Sequence, residues 1–243
     1  MKNSHNKILI TGGASGIGFG IAERFIKESN TVIVCGRREL ALKEAKDKLP
    51  TLITKRADLS TEAGRQELYD WVAKEHPDTN VLVNNAGIQK WMNVADADFY
   101  QKAKEEMATN IEAPLHLTAL FLQLKSLDTI LNVTSGLSFV PLVKVPVYSA
   151  TKAFFHSFTM SLREMLRAKN IEVIEVIPPA LNTDLGGKGL HDNAPPVNEF
   201  IEAIFAQLKE GKTELTFGFS ETGSKAGQEV LKPIFVRMNQ LAN

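Results

Sequence analysis

The sequence predicts an α/β fold: a single doubly wound domain with a mostly parallel seven-stranded sheet and helices on both faces. Three observations carry this reading. Seven short apolar runs recur along the 243 residues. They are rich in β-branched residues and do not alternate with polar ones, as expected of strands covered on both sides. Helical periodicities separate them, so successive strands join through right-handed crossovers that lay a helix on the sheet.

The first run, residues 8–10, ends in Thr11-Gly12-Gly13-Ala14-Ser15-Gly16-Ile17-Gly18 and enters a helix with Ile17, Ile21 and Phe25 on one face. The second, 32–35, ends in Gly36-Arg37-Arg38, the third, 52–53, precedes Asp58-Leu59, and the fourth, 81–83, runs into Asn84-Asn85-Ala86-Gly87. A helix over 107–124 leads to the fifth, 130–133, just before Ser135. A helix over 150–167 follows, with Ala150, Ala153, Phe154, Ser157, Phe158, Ser161, Leu162 and Met165 at i, i+3, i+4 spacing. The sixth run is 173–177 and the seventh 215–217; between them two Pro-Pro pairs bracket a glycine-rich loop, 178–196, whose stretch at about 184–196 reads as functional. No linker, repeat or low-complexity tract interrupts residues 1–243, so one domain is expected.

Lys and Arg number 28 and Asp and Glu 28, which removes the field that gathers nucleic acid or anionic membrane. No stretch approaches the roughly 18 apolar residues of a membrane span, and the first apolar run is too short for a secretory core. With a single cysteine, Cys35, and no disulfide within the chain, a cytoplasmic protein is expected. The five histidines are scattered without ligand spacing, so no metal site is expected.

A glycine turn between a strand and a helix admits close backbone approach to a pyrophosphate, and the helix N-terminus offers free N–H groups to it. A ligand-free turn is the alternative. An NAD site places an acid after the second strand; here Gly36-Arg37-Arg38 stands there, and two guanidiniums suit a 2′-phosphate. Solvated arginines at a helix start are the competing reading. Asp58 and Leu59 either flank an adenine or cap the next helix. Tyr148 and Lys152 put a phenol and an ammonium one turn apart, as do Tyr100 and Lys104; only the first pair has a serine, Ser135, thirteen residues upstream.

On these residues the chain resembles the compact short-chain dehydrogenases/reductases, of about 250 residues. The glycine turn matches at Gly12, Gly16 and Gly18, Asn-Asn-Ala-Gly stands at 84–87, the serine, tyrosine and lysine fall on Ser135, Tyr148 and Lys152, and the asparagine of Met107-Ala108-Thr109-Asn110 completes the set. The 178–183 stretch and the C-terminal segment are similar to oxidoreductases named for bacterial D-alanylation operons. Pro179 replaces the family's usual glycine, and Thr216-Phe217-Gly218-Phe219-Ser220 replaces a common Asp-Gly-Gly ending.

The resemblance implies a Rossmann-type domain and hydride transfer between NADP(H), with NAD(H) as the lesser cofactor, and a carbonyl/alcohol substrate. It implies that Gly12, Ser15, Gly16, Ile17, Gly18, Asn85, Ala86, Gly87, Tyr148, Lys152, Pro178 and Thr183 hold the cofactor, together with Arg37, Arg38, Asp58 and Leu59. Tyr148 would be the proton donor or acceptor, Lys152 its electrostatic partner, Ser135 the orienting hydroxyl and Asn110 the holder of a relay water. Apolar Leu137, Leu142, Val143 and Val145 suggest a hydrophobic or uncharged substrate, with Lys144 at the loop tip. The helices over 107–124 and 150–167 are expected to pair in a homodimer, or within a homotetramer. Two alternatives stand: a non-enzymatic NADP(H)-binding sensor or scaffold, and a nucleotide-sugar epimerase, for which the chain is short.

Overall fold

The computed structural model describes residues 1–240. The strands are Lys7–Thr11 (β1), Thr31–Gly36 (β2), Ile53–Arg56 (β3), Val81–Asn84 (β4), Thr129–Val133 (β5), Glu172–Ile177 (β6) and Glu214–Thr216 (β7). They form one sheet in the order β3-β2-β1-β4-β5-β6-β7, with every pairing parallel. The direction of winding reverses between β1 and β4, and a crevice opens there at the carboxyl ends of the strands.

The helices are Gly16–Lys27 (α1), Glu39–Lys48 (α2), Glu62–Glu75 (α3), Phe99–Met107 (α4), Ala113–Phe121 (α5), Pro146–Arg167 (α6), Val197–Lys209 (α7), Phe219–Lys225 (α8) and Gln228–Gln240 (α9). Neighbouring side chains of β1 explain its unbroken apolar run. Ile8 and Ile10 join one core with Ile21, Phe25, Phe200 and Phe205, whereas Leu9 joins the other with Val72, Leu117, Phe121 and Leu162. Both faces of the sheet are therefore dry. No helix among the described residues is long and apolar enough to cross a membrane.

Three expectations need correction. The third strand is Ile53–Arg56 rather than 52–53: it is an edge strand paired only with β2, so its outer positions accept Thr54, Lys55 and Arg56. The last strand is Glu214–Thr216, and Phe217 has already turned away to pack edge-on against Phe200, centroids 6.1 Å apart. On α6 the stripe chosen from periodicity is mostly the outward one. The buried positions are Tyr148, Ser149, Thr151, Lys152, Phe155, Thr159, Leu162 and Leu166, and of the predicted set only Leu162 lies among them. Hydroxyls and an ammonium on the inner face hid it from a hydrophobicity count.

Candidate active site

Thr11, at the end of β1, ties the crevice together. Its hydroxyl donates to the Val83 carbonyl at 3.2 Å and accepts the amides of Asn85 at 2.9 Å and Ala86 at 3.0 Å. The Asn85 side chain donates to the carbonyls of Thr11 at 2.9 Å and Gly12 at 3.2 Å, so this amide is committed to fixing the glycine turn. Gly12 has φ +65°, and a Cβ there would lie 2.9 Å from Ala86 Cα. At Gly18 a Cβ would fall 2.4 Å from Asn85 Nδ2. Only hydrogen fits at either place.

Gly16 opens α1 at φ +55°, and Thr183 leans over it, with Cγ2 3.5 Å from where a Cβ would stand. Ser15 is the N-cap, yet makes no side-chain cap bond, and the first turn, which includes Ile17, holds no acid. Amides without capping partners and a positive dipole end therefore face the crevice, a setting that fits a phosphate.

Beyond β2, Arg37 and Arg38 are exposed, and Arg38 is the N-cap residue of α2. Burial opposes ionisation of Asp58, but hydrogen bonds from the Ser60 hydroxyl (2.7 Å) and amide (3.0 Å) and the Arg37 charge hold its carboxyl below its ordinary value. Asp58 does not cap α3; Thr61 does, accepting from the Gly64 amide at 3.1 Å. Leu59 is buried, and its carbonyl accepts from Arg65 at 2.9 Å.

On the other wall, Ser135 follows β5 and accepts the Leu137 amide at 3.1 Å, capping a short 3-10 turn, Gly136–Ser138. Pro178, after β6, accepts the Gly136 amide at 2.9 Å. From α6, Lys152 lays its ammonium 5.6 Å from the centre of the Tyr148 ring and donates to the Val133 carbonyl at 2.8 Å. Burial pushes the Tyr148 phenol up; the Ser135 hydroxyl beside it works the other way. Burial brings Lys152 down to about 8. Tyr100 and Lys104 make nearly the same pair, 5.7 Å apart, but Tyr100 is 70% exposed against 6% for Tyr148.

Asn110 sits in a single π-turn, Ala108–Glu112, between α4 and α5. Its side chain accepts from the Ile88 amide at 2.9 Å and donates to the Ile88 carbonyl at 2.9 Å and the Thr151 hydroxyl at 3.2 Å. Both hydrogens of its side-chain amide are thus committed to protein groups. A Cβ on Gly87 would lie 3.4 Å from Asn110 Oδ1 and 3.7 Å from Lys152 Nζ, so three predicted residues meet at one point. Below them Asn84 donates to Asn132 at 3.0 Å, and Asn132 to Thr159 at 3.0 Å, a buried ladder that ties β4 and β5 to α6.

Behind Ser135, Thr134 donates to the buried Glu175 carboxylate at 2.6 Å, which also holds His156 Nδ1 at 2.9 Å. The Glu175 hydrogen bond raises the His156 pKa against the opposing effect of burial. Raised in the folded state, it contributes stability fully below the unfolded value of about 6.5, and that contribution is lost as pH rises through the folded value. Urea-unfolding free energies measured from pH 5.5 to 9 should show this decline in the unmodified protein and a flatter curve in Glu175→Gln. Parallel curves would remove the pair from the pH dependence.

The glycine-rich loop is closed on itself: the Asn182 amide donates to Pro195 O at 2.9 Å, and its side chain to Asp192 O at 3.2 Å. Gly186, at φ +81°, brings it against Gln89, whose Oε1 would be 3.0 Å from a Cβ there. Of the residues expected to line a pocket, Val145 is fully buried and Val143 exposed, while Leu137 and Leu142 are half-buried. Lys144, half-buried at the loop tip, lies over the exposed Trp91 ring, 5.3 Å from its centre. Asn239 of α9 accepts the Val143 amide at 2.7 Å and donates to Pro141 O at 3.1 Å, bringing the far end of the chain to this rim. Sequence reasoning missed Thr11 and the buried Glu106; nothing in Lys104-Glu105-Glu106-Met107 separates the inward acid from its exposed neighbour.

Residues 6–194 match the model of the short chain dehydrogenase family. The whole chain is 42% identical to the whole of the uncharacterized oxidoreductase DltE of Bacillus subtilis (strain 168). It is 30% identical to the NADP-dependent 3-hydroxy acid dehydrogenase YdfG of Escherichia coli (strain K12), over 70% of this chain and 71% of that protein. In fold it is similar to a short chain dehydrogenase from Burkholderia cenocepacia J2315 in complex with NADP: TM-score 0.83, 23% identity, 97% of this chain and 99% of that one.

Proposed function

Because the chain belongs to the short-chain dehydrogenases, we propose that it is an NADP(H)-dependent oxidoreductase interconverting a carbonyl and an alcohol, built as one domain over its full length. The observation that carries this reading is the meeting of Ser135, Tyr148 and Lys152 in a buried crevice beside an uncapped helix N-terminus. A binding protein acting as a sensor or scaffold needs the second feature but not the first.

Gly12, Ser15, Gly16, Ile17 and Gly18 would hold the pyrophosphate, Arg37 and Arg38 the 2′-phosphate, and Asp58 and Leu59 the adenine side. Ala86, Gly87, Pro178 and Thr183 would border the nicotinamide half, and Asn85 would act through the shape of the glycine turn. Bound there, the nicotinamide supplies or accepts the hydride. Lys152 keeps one proton on Val133 O and has two N–H donors left for ribose hydroxyls.

In reduction, Tyr148 would give its phenolic proton to the carbonyl oxygen; in oxidation, its phenolate would take the hydroxyl proton back. Because the buried phenol holds its proton tightly, Lys152 must be charged for phenolate to form. Ser135 donates to the substrate oxygen and keeps it in reach of Tyr148. Asn110 sets the position of Ile88, and through it the wall that Gly87 shares with Lys152. YdfG is NADP-dependent and acts on 3-hydroxy acids by its name. For this chain the half-buried Leu137 and Leu142 favour an uncharged or hydrophobic carbonyl.

A cofactor-oxidation screen over ketones, aldehydes, quinones and sugars tests this, with NADPH and NADH in parallel. Turnover of at least one class with NADPH is the expected result. Tight cofactor binding with no turnover of any class would favour the sensor. The proposed location is the cytoplasm, in keeping with a lone Cys35 whose thiol burial pushes up to about 12.

The outward stripe of α6 favours a homodimer, alone or within a tetramer. Phe154, Met160 and Met165 are exposed there, and Met107 is exposed on the neighbouring α4. Such side chains are worth covering, and a two-fold axis lets one patch cover itself. Light scattering at micromolar concentration should give twice the chain mass or four times it, and Phe154→Glu with Met165→Glu should release monomer. A monomer in the unmodified protein would rule this out.

A further inference from the structure

Glu106 is an unexpected resident of the catalytic wall. It lies in the last turn of α4, one helical turn before Asn110, and its side chain is fully buried. A carboxyl is rarely buried without a counter-charge or a complete set of hydrogen bonds. Here one oxygen, Oε1, accepts the Lys90 amide at 2.5 Å. The other, Oε2, is buried with no hydrogen-bond partner among the described residues. The Lys90 ammonium does not neutralise it, because that group pairs with the exposed Glu105.

Asn110 and Glu106 grip the same stretch of chain. Asn110 holds both the amide and the carbonyl of Ile88, Glu106 holds the amide of Lys90, and between them stands Gln89, with its own unpartnered oxygen, against Gly186 of the long loop. Together the two helical residues fix the wall that begins at Gly87, beside Lys152. Helix α4 packs against α6, and charge on Glu106 opposes loss of the Tyr148 phenolic proton.

Resting on Tyr148 as the proton-transfer group, we propose that Glu106 is a positioning residue for the reaction. One carboxyl oxygen holds the Lys90 amide, and the carboxyl as a whole changes charge state on the helix packed against the one that carries Tyr148. Burial lifts the Glu106 carboxyl to about 7, the Lys90 amide and charge pulling the other way, so the change falls near neutrality. The titratable and charged groups around it are Lys90 from the loop and, on the packed helix α6, Tyr148 and one turn further along Lys152, itself at about 8. Below neutrality Glu106 carries a proton and its charge no longer adds to the burial that holds the Tyr148 proton. Above it, the carboxylate makes the phenolate harder to form, so alcohol oxidation gains less from rising pH than Tyr148 and Lys152 alone would allow.

The test needs no substrate. The chain has three tyrosines, so tyrosine labelled with 13C at Cζ gives three resonances, with Tyr148 assigned by its loss in Tyr148→Phe. Between pH 5 and 9 the Tyr148 resonance should move in two steps, one near neutrality from Glu106 and one above it from Lys152. Glu106→Gln keeps an acceptor for the Lys90 amide and should abolish only the lower step. Absence of the lower step in the unmodified protein overturns the proposal, as does its persistence in Glu106→Gln. Once a substrate is in hand, the rising limb of kcat/KM for oxidation should move about one pH unit lower in Glu106→Gln. Failure of every carbonyl compound to turn over would sink the oxidoreductase reading instead, and would leave the resonance readable.

Discussion

Tyr148→Phe should lower kcat/KM about a hundred- to ten-thousand-fold, the usual worth of a positioned proton donor, with cofactor affinity nearly unchanged. The variant removes one oxygen and keeps the ring that packs beneath the Lys152 ammonium, so the lysine's place on Val133 O should survive. Loss confined to kcat would mark an interaction made only in the transition state. Tyr100→Phe is the matched control, because Tyr100 and Lys104 reproduce the helical spacing and the ring-to-ammonium distance in solvent. Steady-state rates, cofactor-fluorescence titration and circular dichroism on both variants decide the matter. Equal losses in the two, or none in Tyr148→Phe, would show that proton transfer lies elsewhere.

The second large effect concerns the cofactor. A 2′-phosphate carries close to two negative charges near neutral pH, and at the end of β2 it would meet Arg37 and Arg38 and no acid. Charge-assisted hydrogen bonds are worth roughly 1.5–3 kcal/mol net, so NADPH should be preferred over NADH by about ten- to a hundred-fold, less at high salt. Gly36→Asp with Arg37→Ala should reverse the order. The substitution is sterically mild: a Cβ on Gly36 would meet only Leu42 Cδ2, at 3.9 Å. Asp58 is already held ionised beside Arg37, so removing the arginine leaves two carboxylates to repel the phosphate. NADH equal to NADPH in the unmodified protein, at matched ionic strength and one substrate, would reduce the arginines to a solvated helix start.

The fold was legible because the cores on its two faces impose a local signature. Ile8, Leu9 and Ile10 must all be apolar when Leu9 enters one core and its neighbours the other. The edge strand β3 was half lost because that pressure vanishes where one side meets water. The glycine turn and the serine, tyrosine and lysine were readable because their spacing is short-range. Glu106 and the tie from Thr11 to Asn85 were not, since each depends on a partner brought up by the fold. The α6 face was misread for a related reason: its inner side is built from Tyr148, Thr151, Lys152 and Thr159, polar groups satisfied by other elements.

The reversal of winding between β1 and β4 also governs the order in which the molecule can be assembled. β1 pairs with β2 as soon as both exist, but its other edge waits for β4, and the Thr11 hydroxyl finds the Val83 carbonyl only across 72 positions of chain. A growing chain that has released β1, β2 and β3 therefore displays one apolar strand with an open row of amides and carbonyls, the template on which sheets join wrongly. Long-range parallel pairing is slow because loop closure precedes its reward. The glycine turn is thus completed only when β4 and Asn85 arrive, and until then the nascent N-terminal third carries an unpaired strand edge.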